Sequence, residues 1–316
     1  MRALFFDGSL KLLGEYPEPH RRAGESLIRV KVAGICNTDL EIAAGYMGYN
    51  GVLGHEFVGI VEESDNPKLR NKRVVGEINL NCGHCEFCGS GLRTHCPNRA
   101  VLGIMDHPGV IADLCTLPDS NLHEVPEALP DEAAVFCEPV AAAFEILAQV
   151  PVEPGRKAVV LGDGKLGLLV AQVLKTAHAD VLLVGRSPRK LALARGWSIR
   201  TALADDMRGE TADIVVDCTG TTEGFEAALD FVRPRGTIVV KTTVADRFSI
   251  NLAPLVINEI TVVGSRCGPF EPALRALSDG SVRVNEMVAN IFPMEQALEA
   301  FEFASQPETL KVIIRM

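Results

Sequence analysis

The spacing of apolar and polar residues changes along the chain, and the change predicts two kinds of structure. In the first third, β-branched runs at 27–35 and 57–63 are bounded by glycine, proline and asparagine, which is typical of strands. These runs predict a partly antiparallel β-barrel. From Lys157 onward, short apolar strands alternate with helical segments of about a dozen residues. Such alternation is typical of βαβ units, so the second region is predicted to be a doubly wound α/β domain on a parallel sheet.

The change between the two patterns predicts the domain bounds. Prolines after Pro118 precede an alanine-rich helical stretch from about Ala133 to Val150. The tail carries another amphipathic helix and ends in the strand-like sequence KVIIRM. A chain of 316 residues is long enough for two domains, because single cores stop growing near ~250–300 residues. We predict a first domain over 1–128, a second over 129–266 and a C-terminal segment over 267–316.

The composition excludes several classes of partner. The net charge is −10, and no run of basic residues could follow a phosphate backbone, so a nucleic-acid partner is not expected. No stretch reaches the ~18 to 20 uninterrupted apolar residues that a membrane helix needs, so no membrane association is expected. The opening MRALFF lacks the pattern of a signal peptide. These features predict a soluble, cytoplasmic protein.

Four cysteines lie within one short segment, at Cys82, Cys85, Cys88 and Cys96. Their C-x2-C-x2-C-x7-C spacing can close on one tetrahedral zinc ion, and four thiolates leave no open position for water or substrate. The alternative is two disulfides, which require an oxidising compartment and are typical of small secreted domains. The sequence therefore predicts a structural zinc site that stabilises a loop and has no catalytic role.

A glycine-rich loop follows the strand 158–161. Gly162, Gly164 and Gly167 form G-x-G-x-x-G, with Lys165 and Leu166 opening the helix that follows. In this strand–loop–helix setting, the glycines permit a tight turn, a close approach to a pyrophosphate and close helix–strand packing. The alternative is an ordinary glycine turn. We interpret the loop as a dinucleotide-binding site.

The end of the next strand indicates which dinucleotide is bound. Enzymes that use NAD normally carry an acidic residue there, about 20 positions after the glycines, to bind the ribose hydroxyls. This chain has Gly185, Arg186 and Ser187 instead, with Lys190 nearby. A strand end without the carboxylate and with a guanidinium nearby favours binding of a 2′-phosphate, so NADP is predicted over NAD. Alternatively, Arg186 stacks on the adenine or is solvated.

A second set of metal-binding side chains comprises two residues where strands of the first domain end in loops and a third candidate at the domain junction. Cys36, His55 and Glu138 offer a thiolate, an imidazole and a carboxylate, all of which are good zinc ligands. An incomplete protein ligand set leaves a position for water or substrate, as catalytic zinc requires. Each residue also has a structural explanation, as a buried thiol, a core histidine and a helix N-terminal charge.

The order of these motifs resembles that of a known enzyme family. The motifs are C-x-T-D at 36–39, G-H-E-x-x-G at 54–59, the four-cysteine loop, E-P at 138–139 and G-x-G-x-x-G. The chain thereby resembles zinc-dependent medium-chain dehydrogenases, most closely the sorbitol, threonine and glucose dehydrogenase-like branch of polyol dehydrogenases. The resemblance implies a GroES-like β-barrel catalytic domain formed by both chain ends, with a Rossmann domain inserted between them. It also implies a homodimer or homotetramer, with the strand at 261–265 as a dimer surface.

The resemblance further implies roles for individual residues. Cys36 and His55 would bind a catalytic zinc ion, while Glu56 and Glu138 would alternate between binding the zinc directly and holding its bound water. Thr38 would hydrogen-bond the substrate oxygen and relay its proton, and Asp39 would orient the zinc-binding histidine. No histidine lies between Asp39 and Asn50 to extend the proton relay.

We therefore expect a zinc-dependent oxidoreductase with one catalytic and one structural zinc ion. Its reaction would be reversible hydride transfer between a secondary alcohol and NADP, with NAD as the other candidate cofactor. A polyol, a sugar or a simple alcohol, or the corresponding carbonyl compound, would be the small-molecule substrate. The alternatives are a nonenzymatic NADP-binding zinc protein, acting as a sensor or assembly component, and a zinc-independent quinone or enoyl reductase.

Overall fold

The computed structural model describes residues 1–206, 209–242 and 249–316. The chain divides into two compact units, one made of 1–138 with 287–316 and the other of 139–286. No helix within these described ranges has the length and apolar character needed to cross a membrane.

The bounds of the units fall later in the chain than the bounds of 128 and 266 expected from sequence patterns. Asp131 accounts for the first difference, because its carboxylate pairs with Lys31 and Arg73 of the first unit. Gln172 accounts for the second, because its side chain exchanges two hydrogen bonds with the backbone of Arg283, at 2.9 and 2.7 Å. Ion pairs and hydrogen bonds of this kind join residues that are distant in the chain, and hydrophobic periodicity does not report them.

The N-terminal part of the first unit is mainly antiparallel β-structure. Its strands are β1 (Ala3–Phe6), β2 (Leu10–Leu13), β3 (Glu25–Ile35), β4 (Gly51–Val52), β5 (Glu56–Ser64), β6 (Arg73–Gly76), β7 (Asn79–Leu80), β8 (Ala100–Leu102), β9 (Asp106–His107), β10 (Leu114–Pro118) and β11 (Leu122–Glu124). Its helices are α1 (Asn37–Ala43), α2 (Glu86–Gly89) and α3 (Asp131–Ala134). Side chains of β3 alternate between buried and more exposed positions up to Val32, after which every residue to Ile35 is buried. The end of β3 is therefore covered on both faces.

The second unit is a doubly wound α/β domain. Its strands are β12 (Lys157–Leu161), β13 (Asp180–Gly185), β14 (Arg200–Leu203), β15 (Ala212–Asp217), β16 (Val232–Val240) and β17 (Thr261–Gly264). Its helices are α4 (Cys137–Gln149), which begins at the boundary, α5 (Lys165–Thr176), α6 (Pro188–Gly196), α7 (Thr222–Phe231), α8 (Ala253–Ile257) and α9 (Phe270–Ser278). The described strands pair in parallel in the order β14-β13-β12-β15-β16-β17. Counted from β12, this order is 3-2-1-4-5-6, which is the strand order of dinucleotide-binding domains.

The C-terminal segment completes the sheet of the first unit. It contains β18 (Val288–Pro293), α10 (Ala297–Ala304) and β19 (Lys311–Arg315). Strand β19 pairs with β3, on the side opposite to the pairing of β3 with β5. Gly34 of β3 faces Glu56 of β5 on one side and Ile313 of β19 on the other. The last strand of the chain therefore lies one strand away from the beginning of β5.

Candidate metal centres and cofactor loop

The four cysteines of the loop at 82–96 form a compact cluster. Their Sγ atoms are separated by 3.4 Å (Cys85–Cys88), 3.6 Å (Cys82–Cys96), 3.7 Å (Cys85–Cys96) and 4.0 Å (Cys82–Cys88). A tetrahedron with zinc–sulfur bonds of 2.3 Å predicts sulfur–sulfur distances of ~3.8 Å, whereas a disulfide requires about 2.05 Å. The cluster therefore has the dimensions of a tetrahedral metal site, and all nine cysteines of the chain are free thiols.

A second cluster lies where β3 ends and β5 begins. Cys36 follows β3 and occupies the N-cap of α1, while His55 directly precedes β5 and Glu56 is its first residue. One ligand atom from each of these three residues lies within 4.8 Å of the other two. His55 and Glu56 are buried and Cys36 is half-buried. The set is a thiol, an imidazole and a carboxylate that converge on one point.

Asp39 organises this second cluster. One of its carboxylate oxygens, Oδ2, accepts the N–H of Cys36 at 2.8 Å, and the other, Oδ1, accepts the N–H of Gly54 at 3.2 Å and lies 3.3 Å from Nδ1 of His55. Burial lowers the pKa of His55, but the Asp39 carboxylate and the Cys36 side chain together raise it by more, so the pKa lies well above its ordinary value. A buried carboxylate thus holds both the thiol-bearing backbone and the imidazole ring.

Glu56 is anchored by a residue from the last strand. Its Oε2 forms an ion pair with Nζ of Lys311, whereas its buried Oε1 accepts no hydrogen bond from the described residues. A Cβ atom at Gly34 would overlap Oε2, so glycine at this position makes room for the pair. Buried polar atoms normally have a hydrogen-bond partner, so this carboxylate oxygen, which lies beside Cys36 and His55, is available to bind a metal ion.

Lys311 is itself deeply buried, at 2% exposure. Burial lowers the pKa of Lys311, and the negative charges of Glu56 and Cys36 raise it by more, so the net shift is upward. Its ammonium also lies 5.4 Å from the centre of the Phe136 ring. The lysine is therefore charged and held in place by both an ion pair and an aromatic face.

Two further side chains expected at this site lie close to it. Thr38 is half-buried, with its Oγ1 3.9 Å from Sγ of Cys36. Glu138 is the second residue of α4, and its negative charge contributes to the raised pKa of Lys311. Among the described residues, the converging ligand set contains Glu56 and does not contain Glu138. The geometry thus separates the two carboxylates that sequence reasoning treated as equivalent.

The glycine loop after β12 is shaped by close backbone contacts. Gly162 has φ +105°, and a Cβ there would lie 2.6 Å from the carbonyl oxygen of Cys218. A Cβ at Gly167 would overlap the carbonyl oxygen of Gly162, whereas one at Gly164 meets nothing within 4 Å. Lys165 and Leu166 then open the twelve-residue helix α5. The loop therefore offers open space in front of a helix N-terminus, which suits a pyrophosphate.

The end of β13 is held by Asp163 of the glycine loop. Oδ2 of Asp163 accepts the N–H groups of Arg186 at 2.9 Å and Ser187 at 2.6 Å. The Arg186 side chain is exposed, while Ser187 caps α6 by accepting the N–H of Lys190, a buried residue, at 3.3 Å. A Cβ at Gly185 would lie 2.4 Å from Asp163, so glycine is required for this packing.

Comparison with family models decides the family. The alcohol dehydrogenase GroES-like domain model matches residues 22–127, and the zinc-binding dehydrogenase model matches residues 166–279. A sorbitol dehydrogenase from Halalkalibacterium halodurans is 28% identical over 323 residues, which cover 95% of this chain and 94% of the relative. The chain belongs to the zinc-dependent medium-chain dehydrogenase family. This confirms the family and the polyol dehydrogenase branch that the order of motifs predicted.

Solved structures show the same fold. A Sinorhizobium meliloti 1021 protein described as a zinc-binding dehydrogenase, bound to NADP, has a TM-score of 0.90 and 24% identity, covering 100% of this chain and 99% of its own. An Escherichia coli CFT073 protein described as a short chain alcohol dehydrogenase, complexed with NADH, has a TM-score of 0.92 and 23% identity, with the same coverage. These similarities confirm the predicted fold class, a GroES-like domain with a Rossmann-type α/β domain. Because the two cofactors differ, the fold alone does not select between them.

The donor atoms fit what a zinc-dependent medium-chain dehydrogenase needs. Four thiols at tetrahedral spacing form a closed set, whereas the converging thiol, imidazole and carboxylate leave a position for water or substrate. The comparisons also confirm the prediction that the chain is an alcohol or polyol oxidoreductase.

Two residues of this dehydrogenase were not found by sequence reasoning. Lys311 opens an apolar strand, and the only signal for it was a charge at the start of KVIIRM. Asp163 lies inside the glycine motif, at a position where the pattern allows any residue. Both act through contacts that only the folded chain creates.

Proposed function

We propose that the chain catalyses reversible hydride transfer between a secondary alcohol and a nicotinamide dinucleotide, with zinc held by Cys36, His55 and Glu56. The observation that carries this proposal is the buried Oε1 of Glu56, which accepts no hydrogen bond within the described part of the chain and converges with a thiol and an imidazole. Zinc bound there would lower the pKa of an alcohol and polarise a carbonyl group. Because the relative from H. halodurans is a sorbitol dehydrogenase, a polyol or sugar is the proposed substrate class.

Each residue of the cluster has a distinct task in this proposal. Asp39 keeps the imidazole of His55 oriented towards the metal through its contact with Nδ1. Thr38, next to Cys36 in space, relays the substrate proton: its Oγ1 takes up the proton of the substrate hydroxyl as its own hydroxyl proton leaves towards solvent. Glu56 would be the third ligand, and Glu138 would hold a water molecule beside the metal. The cysteines at 82–96 hold a second, structural zinc ion.

We propose NADP as the favoured cofactor, with NAD also accepted. The Gly185 position itself carries no side-chain carboxylate, and the Arg186 side chain is exposed beside it. A guanidinium pairs with phosphate through charge-assisted hydrogen bonds. The pyrophosphate would lie against the N-terminus of α5, where Gly164 leaves open space.

We also propose that the protein self-associates, as a homodimer or homotetramer, through an apolar face of the second unit. Strand β17 is at the edge of its sheet among the described strands. Val262 of β17 is exposed, and Val256 and Ile257 of the neighbouring segment are each 76% exposed. Exposed apolar patches beside an open sheet edge mark interaction surfaces.

The free thiols of the chain agree with a reducing compartment, so the proposed location is the cytoplasm.

Self-association is tested by placing a charge in the apolar face. Val256→Glu with Ile257→Glu is expected to convert the oligomer to monomer, because two carboxylates would be buried unpaired in the interface. Light scattering coupled to size-exclusion chromatography measures the mass. Leu298→Glu, at an exposed apolar position of the first unit, is the matched control and should leave the mass unchanged. A wild-type chain that is monomeric at all concentrations would refute the proposal.

The enzymatic proposal is tested by metal content and turnover together. Protein purified without chelator is expected to carry two zinc ions per chain and to reduce NADP with at least one member of a panel of polyols, sugars and secondary alcohols. Dialysis against a chelator should abolish turnover, and added zinc should restore it. One zinc ion per chain with dinucleotide binding and no turnover would instead favour the nonenzymatic NADP-binding protein.

A further inference from the structure

We propose that Asp163 supplies, from the glycine loop, the carboxylate that the end of β13 lacks, and that this residue sets the balance between NAD and NADP. The inference rests on the proposed function, because it concerns the same dinucleotide site. Glycine at position 185 suggests that no acid lies at the end of β13, whereas the Asp163 carboxylate reaches this place from the neighbouring loop.

The geometry places the Asp163 carboxylate at the end of β13. Strands β12 and β13 pair in parallel, with Leu161 beside Val184, so the loops that follow them emerge side by side. Asp163 bridges these loops through its hydrogen bonds to the N–H groups of Arg186 and Ser187. The three atoms nearest to a Cβ built on Gly185 all belong to the Asp163 side chain. Asp163 therefore fills the space that a strand-end acidic side chain would start from.

The chemistry of a carboxylate at this position follows from its charge. In NAD-binding domains, the acid at the end of the second strand accepts hydrogen bonds from the ribose hydroxyls. Both main-chain hydrogen bonds use Oδ2 of Asp163, and Oδ1 accepts none from the described residues. Oδ1 is the oxygen that would accept from a ribose hydroxyl of NAD. The same negative charge repels the 2′-phosphate of NADP.

Arg186 opposes this effect from the adjacent position. Its backbone N–H is tied to Asp163, while its guanidinium is exposed and able to pair with a 2′-phosphate. The site thus carries one group that favours each cofactor, on two neighbouring loops. This arrangement predicts a chain that binds both dinucleotides, with a ratio of affinities that either residue can shift.

The first experiment measures binding and needs no turnover. NADH and NADPH are titrated separately into the zinc-loaded protein, and the fluorescence of the reduced nicotinamide reports each dissociation constant. Asp163→Asn keeps an oxygen that accepts from the backbone but removes the charge. It is expected to shift the affinity ratio towards NADPH by roughly tenfold, because a hydrogen bond to a charged group contributes about that factor. Arg186→Ala should shift the ratio towards NADH.

Controls separate this role from general damage to the loop. Asp230→Asn, at an exposed position in the last turn of α7, makes the same charge change and should leave the ratio unchanged. Each ratio compares two ligands on one variant, so partial destabilisation cancels. If Asp163→Asn fails to fold, Asp163→Ala combined with Gly185→Asp returns the acid to the strand. In that double variant, the ratio of NADH affinity to NADPH affinity should be at least as high as in the wild type.

The outcomes are distinct. A ratio for Asp163→Asn within twofold of the wild type, in a chain that binds both dinucleotides, overturns the inference and leaves the proposed function standing. A double variant that prefers NADPH tenfold more than the wild type overturns it as well. If the wild type binds neither dinucleotide, the proposed function and the inference fail together.

Discussion

Cys36→Ser is expected to lower turnover by at least about 10³-fold. A Lewis-acid metal lowers the activation barrier by several kcal/mol, and each 1.36 kcal/mol of barrier is a factor of ten in rate. Serine keeps the size of the side chain but loses the soft thiolate that zinc favours. Zinc content should fall from two ions per chain towards one, because the four-cysteine cluster is untouched. Steady-state kinetics and elemental analysis on the same preparation measure both effects.

A matched control is available in the same unit. Cys115 of β10 is a buried thiol, with burial raising its pKa to about 12, and it belongs to neither described cluster. Cys115→Ala is expected to lose some packing energy while retaining two zinc ions and full turnover. If Cys36→Ser kept both zinc ions and normal turnover, the proposed catalytic site would be wrong. Equal losses in the two variants would mean that Cys36 acts through stability alone.

The parts of the site that could be predicted from sequence are the parts that are local in the chain. The four cysteines span a single short segment, and the three glycines follow one strand, so their spacing carries the geometry. The pairing of Cys36 with His55 could be anticipated because Cys36 directly follows one predicted strand and His55 lies just before another. The parallel sheet could also be predicted, because strands and helices differ in the spacing of their apolar residues along the chain.

The remaining parts depend on contacts between distant segments. Lys311 reaches Glu56 across 255 positions of sequence, because β19 pairs with β3 beside β5. Asp163 reaches Arg186 because two parallel strands end at the same edge of a sheet. No periodicity encodes either contact. The choice between Glu56 and Glu138 was also open, since burial and an unpartnered oxygen are properties of the folded chain.

Lys311→Met is expected to lower the free energy of unfolding of the first unit by about 3–5 kcal/mol, because removing one partner of a buried ion pair strands the other charge. Glu56 would be left buried with neither oxygen paired to the lysine. Zinc would relieve part of this penalty by binding the carboxylate, so stability should depend more steeply on zinc concentration in the variant than in the wild type. Denaturant unfolding at several fixed free-zinc concentrations measures both quantities.

Three further variants decide whether Lys311 acts through Glu56. Glu56→Gln with Lys311→Met removes both charges, so its stability should recover most of the loss, whereas its zinc affinity at the second cluster should fall below that of Lys311→Met because the carboxylate ligand is gone. Lys311→Arg keeps the charge and should preserve zinc binding. Lys31→Met breaks a partly exposed ion pair with Asp131, which keeps its second partner Arg73, and should cost less than ~1 kcal/mol. If Lys311→Met and the double variant lost equal stability, the lysine would stabilise the fold by packing on Phe136 and would not position the metal-binding carboxylate.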